Sequence, residues 1–170
     1  MNLALIFAGG TGTRMNSKTK PKQFLELNGK PIIIHTIELF ESHPEIDAIA
    51  VVCLESWIGY LNELLERFRI KKVKYVVPGG ETGQQSIRNG LTAFWDDQDI
   101  PRDSLVLIHD GVRPLINEDI ITRSIECAKQ YGNAITVTPA IETIITVSED
   151  DSVDQIMDRS KCRMARAPQT

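Results

Sequence analysis

Apolar and polar positions along the chain follow two alternating rhythms from the first residues onward. Leu3 to Phe7 is a continuous apolar run closed by Gly9 and Gly10, the pattern of a strand buried on both faces. After a glycine- and lysine-rich loop, Pro31 opens a helix that sets Ile33, Ile34, Ile37 and Phe40 on one face and ends near His43 and Pro44. Ala48 to Leu54 reads as a second strand, and Ser56 as the cap of a helix carrying Trp57, Tyr60, Leu61, Leu64, Leu65 and Phe68. Val73 to Val77 is a third strand. Gly79 and Gly80 interrupt, followed by a helix over Ser86 to Trp95, a fourth strand over Ser104 to His109 and a helix over Asn117 to Tyr131. This alternation predicts an α/β fold, a mostly parallel sheet flanked by helices. Ligands of such sheets bind beyond the carboxyl ends of the strands, so the loops after Phe7, Val77 and His109 should converge on one crevice.

The tail departs from the rhythm. Ala134 to Pro139 and Thr143 to Val147 are strand-like, Ser148 to Ser152 is an acidic turn, and Val153 to Met157 can return as a third strand. The simplest expectation is a hairpin-like excursion. Half of its residues are polar and an isolated hairpin is marginal in water, so it should pack against something else, with a partner subunit the first candidate.

The chain has 170 residues, 42% hydrophobic and 25% charged, which excludes disordered and low-complexity classes. Such a length buries roughly 70% of its unfolded surface, enough for one core, and no repeat or linker divides it. Nineteen basic against 23 acidic residues give a net charge of −4, which argues against a dedicated nucleic-acid binder, so any bound polyanion has to be met locally. The three cysteines, Cys53, Cys127 and Cys162, are odd in number and lack metal-ligand spacing, and so read as reduced thiols. The apolar runs are far too short for a membrane span and no basic stretch leads into a signal-like segment, which points to a cytoplasmic protein without membrane contact.

Three loops carry candidate chemistry. The first reads Ala8-Gly9-Gly10-Thr11-Gly12-Thr13-Arg14-Met15, then Lys18, Lys20, Pro21, Lys22 and Gln23. Its glycines let backbone N–H groups approach an anion, and Arg14 and Lys22 bring charge to the same phosphates. It lacks the Gly-Lys-Ser/Thr ending of a P-loop, and Met15 stands where a dinucleotide fingerprint places its third glycine, which disfavours a dinucleotide-binding oxidoreductase. A solvated basic loop is the plain alternative. The second loop, Gly79-Gly80-Glu81-Thr82-Gly83-Gln84-Gln85-Ser86, suits a planar polar ligand such as a nucleobase, or is simply a helix start with Ser86 near its cap. In the third, His109-Asp110-Gly111-Val112-Arg113-Pro114, Asp110 at a strand end either holds Mg²⁺ against substrate phosphates or pairs with Arg113. His109 reads as packing beside the strand, His35 and His43 have no assigned role, and Trp57, Tyr60 and Phe68 read as core.

Taken together, Phe7-Ala8-Gly9-Gly10-x-Gly12-x-Arg14-Met15, Pro21-Lys22-Gln23-Phe24, Gly79-Gly80 with Ser86, His109-Asp110-x-x-Arg113-Pro114, Thr143, Asp158-Arg159 and Pro168-Gln169 resemble the sugar-alcohol-phosphate cytidylyltransferases. These act on methylerythritol phosphate or ribitol 5-phosphate. The resemblance runs from residue 3 to residue 170 in one order. Within it, the stretch from Phe24 to Thr36, Ala8-Gly9-Gly10 and the region Glu55 to Ile58 are more similar to the ribitol branch.

The resemblance implies a Rossmann-like nucleotidyltransferase fold over residues 1–170, with a projecting β-arm over 138–163 that dimerises. It implies that the backbone of Ala8, Gly9, Gly10 and Gly12 wraps the phosphates of CTP while the catalytic Arg14 and Lys22 neutralise charge. Gly80, Glu81 and Ser86 would recognise cytosine and ribose, Asp110 would hold Mg²⁺, and Arg113 would lie close to the polyol. Thr143 and Arg159 would reach from the arm into the partner's site to hold the polyol phosphate of a homodimer. Gly83 stands where the family usually carries arginine, and the chain ends at Thr170, before a further family carboxylate and a phosphate-contacting lysine; the expectation is a domain truncated at its C-terminus. The activity implied is transfer of CMP from CTP to D-ribitol 5-phosphate, with methylerythritol phosphate as the alternative acceptor and a nucleotide-binding module without turnover as the third possibility.

Overall fold

The computed structural model describes residues 1–10 and 20–170. In chain order its elements are β1 (Asn2–Ala8), β2 (Glu26–Leu27), β3 (Lys30–Pro31), α1 (Ile32–Ser42), β4 (Ala48–Cys53), α2 (Ile58–Arg67), β5 (Val73–Pro78), α3 (Gly83–Asp96), β6 (Leu105–Asp110), α4 (Glu118–Tyr131), β7 (Ile135–Pro139), β8 (Ile145–Val147), β9 (Val153–Ile156) and β10 (Arg163–Gln169). Short 3₁₀ turns at Lys22–Phe24, Glu55–Trp57 and Arg159–Lys161 punctuate them.

One six-stranded sheet, ordered β5-β4-β1-β6-β10-β7, carries the fold. β5, β4, β1 and β6 run parallel, as the alternating pattern predicts, while β10 is antiparallel to both neighbours. The period of two explains the layers. Ala4, Ile6 and Ala8 of β1 with Ile49, Val51 and Cys53 of β4 face a core that includes Ile33, Ile37 and Phe40 of α1, Leu61 and Leu64 of α2, and Ile121 and Ile125 of α4. Leu3 and Leu5 with Ala48, Ala50 and Val52 face the opposite core, which Phe94 of α3 fills. α3 lies close to the sheet at Gly90, where an added Cβ would come within 2.7 Å of Leu5 Cδ1 and 2.9 Å of Val52 Cγ2. Trp57, Tyr60 and Phe68 pack against the first core as expected, and the buried His109 ring tilts against Phe40.

After β1 the chain winds outward through β4 to β5, then α3 carries it back across β1 to β6. The direction of winding thus reverses between β1 and β6, which opens a crevice at their carboxyl ends.

The structure revises several expected boundaries. α3 starts at Gly83, not Ser86, because the Thr82 hydroxyl accepts the Gln85 N–H at 3.1 Å and forms the cap. Ser56 caps no helix; it sits in the 3₁₀ turn that leads into α2. The tail also divides differently. β7 belongs to the main sheet, paired with β10, whose partner lies too far along the chain to be read locally, and only β8 and β9 form a separate hairpin. Every residue of that hairpin's strands is exposed. No helix among the described residues is long and apolar enough to cross a membrane.

Candidate active site

The first wall of the crevice is the end of β1. Gln23 is buried, and its side chain turns back so that Nε2 donates to the Ala8 carbonyl at 2.7 Å and, more weakly, to the Gly10 carbonyl at 3.4 Å. The turn holding Gln23 is anchored by Phe24, which is fully buried and stacked on Trp57 at 4.9 Å between ring centroids. With its two successors locked inward, Lys22 lines the cavity at this wall. Gly12 and Arg14 lie outside the described residues.

The second wall is the loop after β5, seated directly on the first. A Cβ on Gly9 would meet Ser86 Oγ at 2.9 Å and Gly79 Cα at 3.3 Å, so glycine is required for the two loops to touch. The Ser86 hydroxyl donates to the Thr82 carbonyl at 3.0 Å and accepts the Gly80 N–H at 3.1 Å, while Gln85 Oε1 accepts the Glu81 N–H at 2.9 Å. Ser86 is therefore more than a residue near the cap, since it ties the loop to α3. Thr82 and Gly83 also line the cavity, which directs the positive end of this 14-residue helix toward it. A Cβ at Gly83 would meet nothing within 4 Å, so the departure from the family's arginine leaves open space there.

The third wall is the end of β6. Asp110 Oδ1 accepts the Val112 N–H at 3.1 Å and Oδ2 accepts Arg113 Nε at 3.1 Å, so the ion pair considered from sequence is present. Behind it, His109 Nε2 lies 3.0 Å from the Arg113 carbonyl. A carbonyl only accepts, so Nε2 carries the proton. Burial holds the imidazole pKa below its ordinary value, against the opposing pull of this hydrogen bond, and so favours the neutral ring. The Thr36 hydroxyl donates to the Gly111 carbonyl at 3.0 Å and pins the same loop to α1.

These walls enclose a cavity of about 190 Å³ that brings Ala8, Gly9, Gly10, Lys22, Gly80, Glu81, Ser86 and Asp110 together. Arg113 lines a neighbouring cavity. Thr143 and Arg159 line neither: both are on the arm, where Arg159 Nη1 donates to the Ile141 carbonyl at 3.2 Å. Gln23 and Thr36 are positioning residues that sequence reading leaves without a role, although Gln23 stands inside a quoted motif, and His109, read from sequence as packing beside the strand, does so and also fixes the Arg113 carbonyl. Among the described residues no group of three His, Cys, Asp or Glu side chains is placed to hold a metal. Mg²⁺ commonly takes one or two carboxylates and completes its shell with water and substrate phosphates, and Asp110 at the cavity fits that donor set. Cys53, with its thiol pushed up to about 11 by burial, is not a nucleophile.

Glycines, a lysine without an ion pair among the described residues and a strand-end aspartate line one cavity at the switch point of a parallel sheet, the place where α/β nucleotide-handling enzymes bind their ligands. The family 2-C-methyl-D-erythritol 4-phosphate cytidylyltransferase (IspD) matches residues 2–170, and the chain belongs to it, a nucleotidyltransferase. It is 58% identical over all 170 residues to ribitol-5-phosphate cytidylyltransferase of Vibrio parahaemolyticus, spanning 71% of that protein. It is 52% identical to the enzyme of the same name from Streptococcus agalactiae, again over all 170 residues and spanning 70% of it. The crystal structure of 4-diphosphocytidyl-2C-methyl-D-erythritol synthase from Anaerococcus prevotii superposes with a TM-score of 0.80 at 26% identity, covering 98% of this chain and 67% of that one.

Proposed function

We propose that this chain transfers CMP from CTP to D-ribitol 5-phosphate, releasing pyrophosphate and forming CDP-ribitol. The supporting observation is the identity of 58% and 52%, maintained over the whole chain, to proteins named for that acceptor. A phosphate oxygen of the acceptor attacks the α-phosphorus of CTP, a new P–O bond forms, and the bond to the pyrophosphate oxygen breaks. No covalent enzyme intermediate is needed, so alignment and charge neutralisation supply the rate. The backbone of Ala8, Gly9 and Gly10 receives the triphosphate and Lys22 neutralises it. The loop from Gly80 to Ser86 takes the nucleoside, and the family resemblance assigns Gly12 and Arg14, which lie outside the described residues, to the same phosphates. Asp110 would hold Mg²⁺, which when bound supplies charge compensation to the phosphates. We place the reaction in the cytoplasm, where thiols stay reduced.

The test is pyrophosphate release by the chain with CTP and Mg²⁺, comparing D-ribitol 5-phosphate with 2-C-methyl-D-erythritol 4-phosphate. At least a tenfold higher kcat/KM for ribitol 5-phosphate is expected. Preference for methylerythritol phosphate reassigns the acceptor, equal use of UTP or ATP removes the nucleotide assignment, and CTP binding without product leaves a binding module.

The proposal extends to a homodimer. Ile145, Val147, Val153 and Ile156 on the arm are 45–68% exposed, more apolar surface than a two-stranded hairpin carries comfortably in water. A second copy covering it would bring Thr143 and Arg159 to the partner's acceptor site. Sedimentation at micromolar concentration should give a dimer, and a monomer would remove this part of the proposal.

A further inference from the structure

The opening between β6 and β10 carries chemistry that the nucleotide cavity does not use. The two strands meet at a single register pair, Gln169 with Ile108. Because β10 is antiparallel, residues 167, 166 and 165 then run past Asp110, at the end of the sheet where the crevice lies. The pairing of β10 with β7 is irregular there: Ala165 faces Val137 and Gln169 faces Ile135, so four steps on one strand match two on the other. Such a bulge frees residues from the ladder and re-aims their side chains. Beyond the Gln169–Ile108 pair the sheet opens into a cavity of about 300 Å³, lined by Asp110, Arg113, Arg166 and Gln169 with Phe7 and Ile108 on its apolar side. Phe7 and Asp110 also line the nucleotide cavity, so the two spaces adjoin at Asp110.

The two arginines in this cavity differ in commitment. Arg113 is held by Asp110 through Nε. Arg166 has no carboxylate partner among the described residues, and its Nη1 reaches only the adjacent Ala165 carbonyl at 3.4 Å. Ala165 and Ala167 on either side leave room beside the guanidinium. Gln169 spends one amide hydrogen on the Arg166 carbonyl at 3.3 Å, which leaves its own carbonyl oxygen for a hydroxyl donor.

We propose that Arg166 is an acceptor-recognition residue that binds the phosphate dianion of the polyol phosphate, from the same chain that binds the nucleotide. The inference rests on the nucleotidyl-transfer reading above and deepens it. The attacking phosphate has to sit beside the α-phosphate, and the one place where the two cavities share a carboxylate is Asp110. A planar arginine fork matches a phosphate's oxygens in pairs, and the apolar wall of Phe7 and Ile108 strengthens that contact by excluding water. Arg166 acts in cis, apart from anything a partner's arm contributes.

The experiment compares wild type, R166Q and R166K, with KM measured separately for D-ribitol 5-phosphate and for CTP. R166Q should raise the acceptor KM about 10- to 100-fold and leave the CTP KM within about twofold, while R166K, which keeps the charge and loses the fork, falls between. An unchanged acceptor KM, or an equal rise for both substrates, overturns the inference. If wild type forms no CDP-polyol from any polyol phosphate, the transfer reading fails, and thermal protection by inorganic phosphate decides Arg166. Protection of wild type that R166Q loses supports the inference. Equal protection, or none in wild type, overturns it.

Discussion

Lys22→Ala is expected to lower kcat/KM for CTP by about 10²–10³-fold while unfolding at the same denaturant concentration as wild type. The size of the loss follows from how the lysine is presented. Gln23 and Phe24 are sealed inside, the first by its bond to the Ala8 carbonyl and the second by the Trp57 ring, so the turn keeps its shape without the Lys22 side chain. Among the described residues Lys22 makes no ion pair, and its charge is available to the phosphates at no cost in broken contacts. The chain carries a net charge of −4, so bulk attraction does not gather a triphosphate and the neutralisation has to be local. Negative charge shifts toward the leaving pyrophosphate in the transition state, which is why the loss should appear in kcat as well as KM. Lys22→Arg, which keeps the charge on a different geometry, should recover part of the rate. Steady-state pyrophosphate release is the measurement, and an alanine variant within threefold of wild type would remove Lys22 from the catalytic machinery.

Asp110→Asn should cost at least about 10²-fold in kcat and move the Mg²⁺ concentration for half activation upward by about tenfold. Asparagine can still accept the Val112 N–H through its carbonyl oxygen, so the turn after β6 has what it needs. Its amide nitrogen, however, faces Arg113 Nε, a donor against a donor, in place of the 3.1 Å ion pair. Two losses are therefore superposed: the carboxylate that would hold the metal, and the anchor that orients Arg113. The Mg²⁺ titration isolates the first and the acceptor KM reports the second. Unchanged Mg²⁺ dependence would show that Asp110 serves only as the partner of Arg113. Stability should move little, because the pair is partly solvated, Arg113 being 56% exposed, and such pairs contribute about 1 kcal/mol or less.

What sequence reveals here depends on how local the cause is. β1 and β4 are legible because strands buried on both faces show as unbroken apolar runs, whereas the reversal between β1 and β6 is not, since alternation of strands and helices leaves the strand order open. The three walls of the crevice are legible with the strands, since each is the loop that follows a parallel strand. β10 is not: Arg163 to Gln169 shows no period of two, contains Pro168, and is separated from its partner β7 by the whole β8–β9 hairpin, so only the folded sheet identifies it. The β2–β3 hairpin turns on Asn28 and Gly29 at φ 52° and 76°, and the Asn-Gly pair signals such a turn, yet strands of two residues are too short to display a rhythm. The tasks of Gln23 and His109 are beyond sequence for a different reason. A buried amide donating to the backbone of a loop 13 to 15 residues away, and an imidazole fixing the carbonyl of Arg113, are facts of tertiary packing.

The contact between Gly9 and the Gly79 loop bears on how such enzymes can be altered. A Cβ on Gly79 would lie 3.1 Å from Gly9 Cα and 3.3 Å from Ser86 Oγ, so the end of β1 and the loop after β5, proposed above to take the phosphates and the nucleoside, share one packed seam. They are not interchangeable cassettes. Grafting a foreign loop after β5 to change nucleotide choice would shift the seam and displace the end of β1 with it, so a successful exchange has to transplant the end of β1, the loop after β5 and the first turn of α3 as one piece.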